Sequence, residues 1–383
     1  MMGIMRPEAT RPQRTARTRV SDCWPNSLSS FSRRRRAAVL TRYLKGSATL
    51  STTALTMASR TQESETSPEL DLVRITLPTL PSVPLLSAPS VFNVGARRLY
   101  DYSPTAILKM GTDEGEGVMT ALARSILGPV VPEVLGVVTV PHLHPRARHG
   151  LLLARQPGTP LVTIWPSLQP MQRADVKNKL CDLVLRMRKR QFSYYGRPGG
   201  LPYTTDTECG TAQHTFCTTR TEWNESRIRA LQTVAPSIDI DEPRRLALEQ
   251  MQKETICDDR PVLTHGDLSS RNILVHPDTL EVTGFLDWEM ANVMPAYFEY
   301  VLARLSGGHQ AEWRKELLDV LKNVLRVEAQ NRAAQQTSVE DGGSAGDEEY
   351  GRALKAWNRL VDVERSAQEY SDRCYWTFED NSQ

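Results

Sequence analysis

Val176, Leu180, Leu183, Val184 and Met187 recur at offsets of 4, 7, 8 and 11, which draws one apolar stripe along a helix. Trp313, Leu317, Val320, Leu321, Val324 and Leu325 make a second stripe, and Tyr350, Leu354, Trp357 and Val361 begin a third. Weaker helical patterning runs through 223–234, 242–256 and 297–305. Upstream of Pro157-Gly158 the period changes. Residues 92–102 alternate imperfectly around Gly95, Ser103-Pro104-Thr105 is a turn signal, and 106–110 is an apolar run interrupted by Lys109. Segments 130–140 and 149–154 read as further strands, and 116–127 as the one helix among them. Residues 196–210, rich in Gly, Pro and Thr, read as loop. The pattern predicts an α+β, two-lobed fold, with a small β-rich lobe at 91–156 and a larger, mostly helical lobe at 157–370.

Composition adds boundaries and exclusions. Hydrophobic residues are 40% of the chain, enough for a substantial core. No apolar run approaches the ~18 residues of a membrane span. The formal net charge of +2 hides an asymmetry: residues 1–60 hold twelve Arg or Lys against Glu8 and Asp22, leaving 35 basic and 43 acidic residues downstream. A body with that acidic excess argues against nucleic acid as a partner. Segment 1–66, with its Arg33–Arg36 run, reads as a disordered basic leader. Its composition resembles a mitochondrial transit peptide, with a plain basic tail or a later start at Met57 as alternatives. A Pro-rich lead-in follows at 67–90, the polar 329–348 stretch reads as a disordered insertion, and 371–383 as a tail. Six scattered cysteines without a Cys-x-x-Cys pair suit reduced thiols of an intracellular protein. The expected location is cytoplasmic, or mitochondrial if the leader is a targeting segment.

One segment narrows the chemistry. His265-Gly266-Asp267-Leu268-Ser269-Ser270-Arg271-Asn272 leads into the apolar run 273–275, a Pro277-Asp278 turn signal, and then Gly284-Phe285-Leu286-Asp287-Trp288-Glu289. This is a loop, a strand, a turn, a second strand and a carboxylate. Singly, Asp267 and Asn272 would be turn caps and Asp287 a strand-end residue. Together, at this spacing, they suit phosphoryl transfer, which needs alignment and charge neutralisation more than covalent help. Asn272 and Asp287 offer the hard oxygens that magnesium prefers, and Asp267 can take the proton of an attacking hydroxyl. Lys109, at the end of an apolar strand, is the candidate phosphate ligand from the other lobe. Glu116 is its candidate partner, with Glu114 as the alternative. His265 reads as a structural brace for the loop. Arg271 reads either as a phosphate or substrate contact or as a solvated side chain. Glu289 and Glu299 read either as attracting a cationic substrate or as surface and capping residues.

The His-Gly-Asp…Asn stretch and the later Asp287-Trp288-Glu289 resemble the aminoglycoside phosphotransferase and choline kinase family, which has the protein-kinase-like fold. Weaker similarity runs through 92–109, Val131-Pro132-Glu133-Val134, Pro157-Gly158-Thr159-Pro160-Leu161 with Trp165, and Pro295-Ala296-Tyr297-Phe298-Glu299-Tyr300. The resemblance implies an ATP- and magnesium-dependent kinase acting on a hydroxyl of a small molecule. In it Asp267 is the base, Asn272 and Asp287 hold the metal, and Lys109 with Glu116 binds the nucleotide phosphates. The chain departs from the family at three places: no Gly-x-Gly-x-x-Gly precedes Lys109, only six residues separate Lys109 from Glu116, and Ala154 stands where an acidic hinge residue is common. Those departures motivate one alternative, a catalytically silent nucleotide-binding or interaction module. A protein kinase is the other. It fits less well, because Pro295 follows Asp287 within ten residues and leaves little room for a peptide platform. The acceptor stays open among aminoglycosides, choline-like alcohols, sugars and amino-alcohols.

Overall fold

The turn signal at 103–105 closes a hairpin. In the computed structural model β2 (Arg97–Ser103) and β3 (Ala106–Met110) pair antiparallel, with Leu99 opposite Lys109. The structure describes residues 75–80, 92–94, 97–112, 114–139, 149–207, 210–305, 311–336 and 342–370. The basic leader, most of the Pro-rich lead-in and the tail lie outside the described residues. With β1 (Phe92–Val94), β4 (Val134–Thr139) and β5 (His149–Ala154), the hairpin forms a five-stranded antiparallel sheet in the order β1-β2-β3-β5-β4. From the lead-in, Thr79 bridges Val137 in parallel at the β4 edge.

Alternation gives this sheet two different faces. Tyr100, Ala106, Leu108, Met110, Val138 and Leu152 pack into a small core of their own, with Leu80 and Leu135 against it. The opposite face carries Lys109 in register with Leu99 and Leu151, then Ile107 opposite Leu153. Helix α1 (Glu114–Leu127) follows β3. Gly117 lets it lie close to the sheet, where a Cβ would meet the Leu77 and Leu151 side chains at 2.7 and 2.8 Å.

Beyond Pro157-Gly158, β6 (Thr159–Pro160) enters the helical lobe. Helix α2 (Pro170–Lys189) buries its predicted stripe, Val176, Leu180, Leu183, Val184 and Met187. Helix α3 (Arg220–Val234) starts at a reciprocal cap: Glu222 N–H donates to Thr219 Oγ1 (3.1 Å) and Thr219 N–H to Glu222 Oε2 (3.3 Å). Helix α4 (Glu242–Glu254) then leads to β9 (Pro261–Thr264). The motif forms β10 (Ile273–Val275) and β11 (Val282–Phe285), an antiparallel pair extended by β6. Strand β12 (Asn292–Pro295) returns beside β9, and helices α5 (Phe298–Leu305), α6 (Ala311–Gln336) and α7 (Gly342–Ala367) follow. Trp223, Trp288, Trp313 and Trp357 are all fully buried in this lobe. No helix among the described residues is long and apolar enough to cross a membrane.

Two segments differ from the reading of the sequence. Within 196–210 lies a strand, β7 (Thr204–Thr207), paired with β8 (Gly210–Gln213). The β-branched threonines favour an extended chain, which the glycine and proline content masks. Segment 329–348, read as a disordered insertion, is helical at 329–336 and 342–348, while 337–341 lies outside the described residues. The apolar stripe of α6 continues there through the small residues Ala329 and Ala333, both buried. Gly346 lets α7 approach closely, since a Cβ there would lie 3.1 Å from Gln330 Cγ. Small interface residues hide an amphipathic pattern from a hydropathy reading.

Candidate active site

The 265–272 loop hangs between β9 and β10, and the core fixes it from several sides. The His265 N–H donates to Glu299 Oε2 (2.6 Å) and the Gly266 N–H to Glu299 Oε1 (3.2 Å), so one buried carboxylate from α5 holds two successive amides. Burial raises Glu299 to about 7, against the pull of those N–H donors. Trp313 Nε1 donates to Leu268 O (2.8 Å) and the Val162 N–H to Ser270 O (3.1 Å). Gly266 has φ 86°, and a Cβ there would lie 2.5 Å from Met290 O, so both torsion and space demand glycine.

His265 ties the two halves of the motif together. The Asp267 N–H donates to its Nδ1 (3.2 Å), which makes Nε2 the protonated nitrogen that donates to Leu286 O (3.0 Å). Full burial lowers the pKa of the ring and keeps it in this neutral form. Across the hairpin the Leu286 N–H donates to Asn272 O (2.8 Å), which sets Asp287 one residue beyond Asn272's neighbour. Asp287 is left-handed (φ 65°, ψ 65°), a conformation costing a non-glycine residue roughly 1–2 kcal/mol. The turn Trp288–Met290 behind it is anchored by Trp288 Nε1 donating to Phe285 O (3.0 Å).

Asp267 uses its two oxygens differently. Oδ2 accepts from Arg271 Nη2 (2.7 Å) and from Asn272 Nδ2 (3.0 Å), while Oδ1 is buried with no hydrogen-bond partner. The Asn272 amide nitrogen also donates to Asp267 O (3.0 Å), which turns its oxygen end away from Asp267.

The other lobe contributes Lys109. Its Nζ lies 2.7 Å from Glu116 Oε1, 2.7 Å from Asp287 Oδ1 and 3.5 Å from Glu289 Oε2. Burial disfavours the ammonium, yet the three carboxylates outweigh that and hold its pKa above the usual range. Asp287 is pulled below the usual carboxylate range, because Lys109 outweighs the effect of its burial. Glu116 is fully buried, and that desolvation raises it to about 7 in spite of Lys109. Ligand oxygens of Glu116, Asp287 and Glu289 lie within 4.8 Å of one another. Hard oxygens around a single ammonium leave a net negative cluster, the donor chemistry that suits a magnesium ion. Arg97 of β2 also pairs with Glu289, and so adds a second cation at the rim.

The structure brings the five residues singled out from the sequence near one another: Lys109 contacts both Glu116 and Asp287, and Asp267 with Asn272 is linked to that cluster's strand through His265. Glu114's side chain lies outside the described residues. Two further groups carry no clear sequence signal. Asp206 sits half-buried on β7; burial and then the charge of Asp267 raise it to about 6. Arg197 lies under the 288–292 segment. Glu299, read from the sequence either as attracting a cationic substrate or as a surface or capping residue, accepts from the His265 and Gly266 amides.

A model of the phosphotransferase enzyme family, APH, matches residues 113–369, two thirds of the chain. The chain belongs to this family. The matched span includes Glu116, Asp267, Asn272 and Asp287 and begins after Lys109. Among solved structures, a thermostable mutant of aminoglycoside phosphotransferase APH(4)-Ia is 15% identical, with 73% of this chain and 94% of that one covered and a TM-score of 0.43. The streptomycin-ATP-APH(2")-IIa ternary complex is 10% identical, with 74% and 94% covered and a TM-score of 0.40. The APH(3'')-Id enzyme from Streptomyces rimosus is 15% identical, with 71% and 90% covered and a TM-score of 0.34. Comparison with curated proteins returned no match. This member of the phosphotransferase family has the two-lobed, kinase-like architecture, with a small sheet lobe and a larger helical one.

Proposed function

We propose that the chain transfers the γ-phosphoryl group of ATP to a hydroxyl of a small molecule. The observation that carries this is the state of Asp267: Oδ2 is occupied by Arg271 and Asn272, and Oδ1 is buried without a partner. A buried acceptor without a donor is costly, and an acceptor hydroxyl donating to Oδ1 removes that cost. The same contact orients the hydroxyl oxygen and gives its proton a destination as it attacks phosphorus.

Lys109 is the phosphate ligand in this reading, and Glu116 holds it. Leu99, Ile107 and Leu153 share its sheet face and are only partly buried, which suits the apolar floor of a base-binding slot. Asp287 and the amide oxygen of Asn272 would hold magnesium, and the Glu289 carboxylate lies beside that of Asp287. Magnesium bound there supplies charge neutralisation on the phosphate oxygens. Asp287 is followed by the turn Trp288–Met290, β12 and then α5, with no long segment on which a peptide could dock. That favours a small acceptor over a protein.

The test is Asp267→Asn, screened with labelled ATP against pools of small hydroxyl compounds. Turnover should fall by on the order of 10³-fold or more, since a base and an orienting contact are lost together. Affinity for ATP with magnesium should stay within a few-fold. Full turnover in Asp267→Asn would remove Asp267 from the chemistry. Nucleotide binding by the unaltered chain, with no acceptor phosphorylated across a broad panel, would leave a silent nucleotide-binding module instead.

A further inference from the structure

Arg197 is buried, and it sits where three pieces of the site meet. Its Nε donates to Ala291 O (3.1 Å) and Asn292 Oδ1 (3.1 Å), its Nη2 donates to Thr204 Oγ1 (2.8 Å), and Nη2 also donates to Glu289 O. Its backbone is pinned as well. The N–H of Gly196 donates to Val293 O (2.9 Å), and Arg197 exchanges N–H···O bonds with Leu201 (2.9 and 3.2 Å). The same Asn292 that receives Nε clamps β7, accepting from the Thr204 N–H (3.0 Å) and donating to Thr204 O (2.8 Å).

The remaining edge of the guanidinium faces α1. A Cβ on Gly115 would lie 2.2 Å from Arg197 Nη1 and 3.0 Å from both Cδ and Cζ. Gly115 has no left-handed torsion, so glycine is needed there for space and not for backbone freedom. The end of an arginine usually yields to such a clash. This one is tied by its other nitrogens to three backbone or side-chain oxygens on β12 and the turn before it, and to a fourth on β7. The helix residue after Gly115 is Glu116, whose Oε1 accepts from Lys109 at 2.7 Å. The helix also packs directly on the turn Trp288–Met290.

We propose that Arg197 is a positioning residue: it seats the N-terminal turn of α1 against the 288–292 segment, and so sets the reach of Glu116 to Lys109. Its planar fork bonds β7 and the 288–292 segment while its remaining nitrogen meets Gly115, which lysine's single ammonium cannot do. The residue thereby makes the placement of Glu116 depend on the hairpin β7/β8. The inference rests on the reading of Lys109 and Glu116 as the phosphate-binding pair, and its test does not need that reading to hold.

Arg197→Met, Arg197→Lys and Gly115→Ala are made in the full chain. Hydrogen exchange is followed at the amides of 116–127 and, as a control, of α2. Affinity for a fluorescent ATP analogue with magnesium, and ATP hydrolysis without acceptor, are measured beside it. The expected result is faster exchange in α1 with α2 unchanged, in Arg197→Met and Gly115→Ala alike. A misplacement near 1 Å predicts a fall in kcat/KM for ATP on the order of 10²-fold. Arg197→Lys should not rescue it. Gly115→Ala added to Arg197→Met should cost little more, because the two act on one contact. Unchanged α1 exchange in the folded variants overturns the proposal. If Arg197→Met does not fold, Gly115→Ala decides by the same readout. If the unaltered chain binds no nucleotide, the kinase reading fails and the exchange comparison still decides whether Arg197 positions α1.

Discussion

Asp267 and Lys109 are held in place by opposite means. The loop around Asp267 is held mostly by neutral dipoles and packing: His265 donating to Leu286 O, Trp313 donating to Leu268 O, and the Val162 N–H on Ser270 O. Glu299 brings charge from beneath it. Lys109 instead stands among Glu116, Asp287 and Glu289, with charge as its main restraint. The difference suits the proposed division of labour. An orienting base must be in place before the substrate arrives, so fixed dipoles serve it. A phosphate-binding lysine must exchange partners when an anion and a metal enter, and a cluster with surplus negative charge allows that exchange. The structure is therefore expected to respond to substitution very differently on the two sides.

The sharpest way to break the contrast is Lys109→Met. On the charge-held side one substitution leaves Glu116 buried without its cation, a class of change that costs about 3–5 kcal/mol. Urea unfolding should register that loss, and adding Glu116→Gln should recover part of it. Nucleotide-dependent turnover should fall by on the order of 10²–10³-fold, the usual worth of one electrostatic donor in such a site. A Lys109→Met protein as stable as the parent would mean that the cluster is balanced by something other than this lysine.

Legibility follows the same division. The 265–287 stretch could be read because its functional groups are close in sequence and framed by apolar strands. Lys109 could be read because an ammonium in the apolar run 106–110 is conspicuous. Arg197 and the strand at 204–207 could not. The first is one arginine of a Gly/Pro-rich loop, and its importance lies in Gly115, some eighty residues earlier. The second depends on Asn292, which clamps Thr204 from a distant strand. Asp206 gains meaning only from its neighbour Asp267 in space. The helical continuation of α6 through Ala329 and Ala333 was hidden because helix–helix contact there uses small residues. Local chemistry is written locally, and long-range bracing is not.

Glu299→Gln probes the dipole-held side through a charged member, and the sign of its pH dependence is specific. Glu299 lies near 7 in the folded chain, above its unfolded value of about 4.3. Between those values the folded state binds more protons, so this group favours folding most at low pH, and the contribution is lost as pH rises through about 7. The urea midpoint of the parent should therefore fall between pH 5 and 7.5 relative to that of Glu299→Gln. Activity runs the other way. The ionised carboxylate is the better acceptor for the His265 and Gly266 amides, so turnover should rise with pH through the same window. Glutamine can accept from one amide only, and turnover should drop about 10- to 100-fold, as for other groups that orient a ligand. A parallel pH response in parent and variant would show that Glu299 does not change its protonation state in this window and that the buttress carries no titrating charge.

The smallest expected effect belongs to Arg271, and it decides where the boundary between the two sides runs. Arg271 contacts Asp267 Oδ2 at 2.7 Å, yet its side chain is 35% exposed and Asp267's is 16%. An exposed ion pair of this kind contributes up to about 1 kcal/mol. Removing it leaves Oδ2 with the Asn272 amide at 3.0 Å and leaves Oδ1 as it was. If the loop is held by the dipoles beneath it, Arg271→Ala should change kcat by about fivefold at most, the factor equivalent to 1 kcal/mol. Its effect should shrink further in high salt, because exposed pairs are screened. A loss near that of Lys109→Met, insensitive to salt, would mean that Arg271 meets the transferred phosphoryl group itself. Charge would then hold both sides of the site, and the contrast between them would fail at this exposed contact with the base.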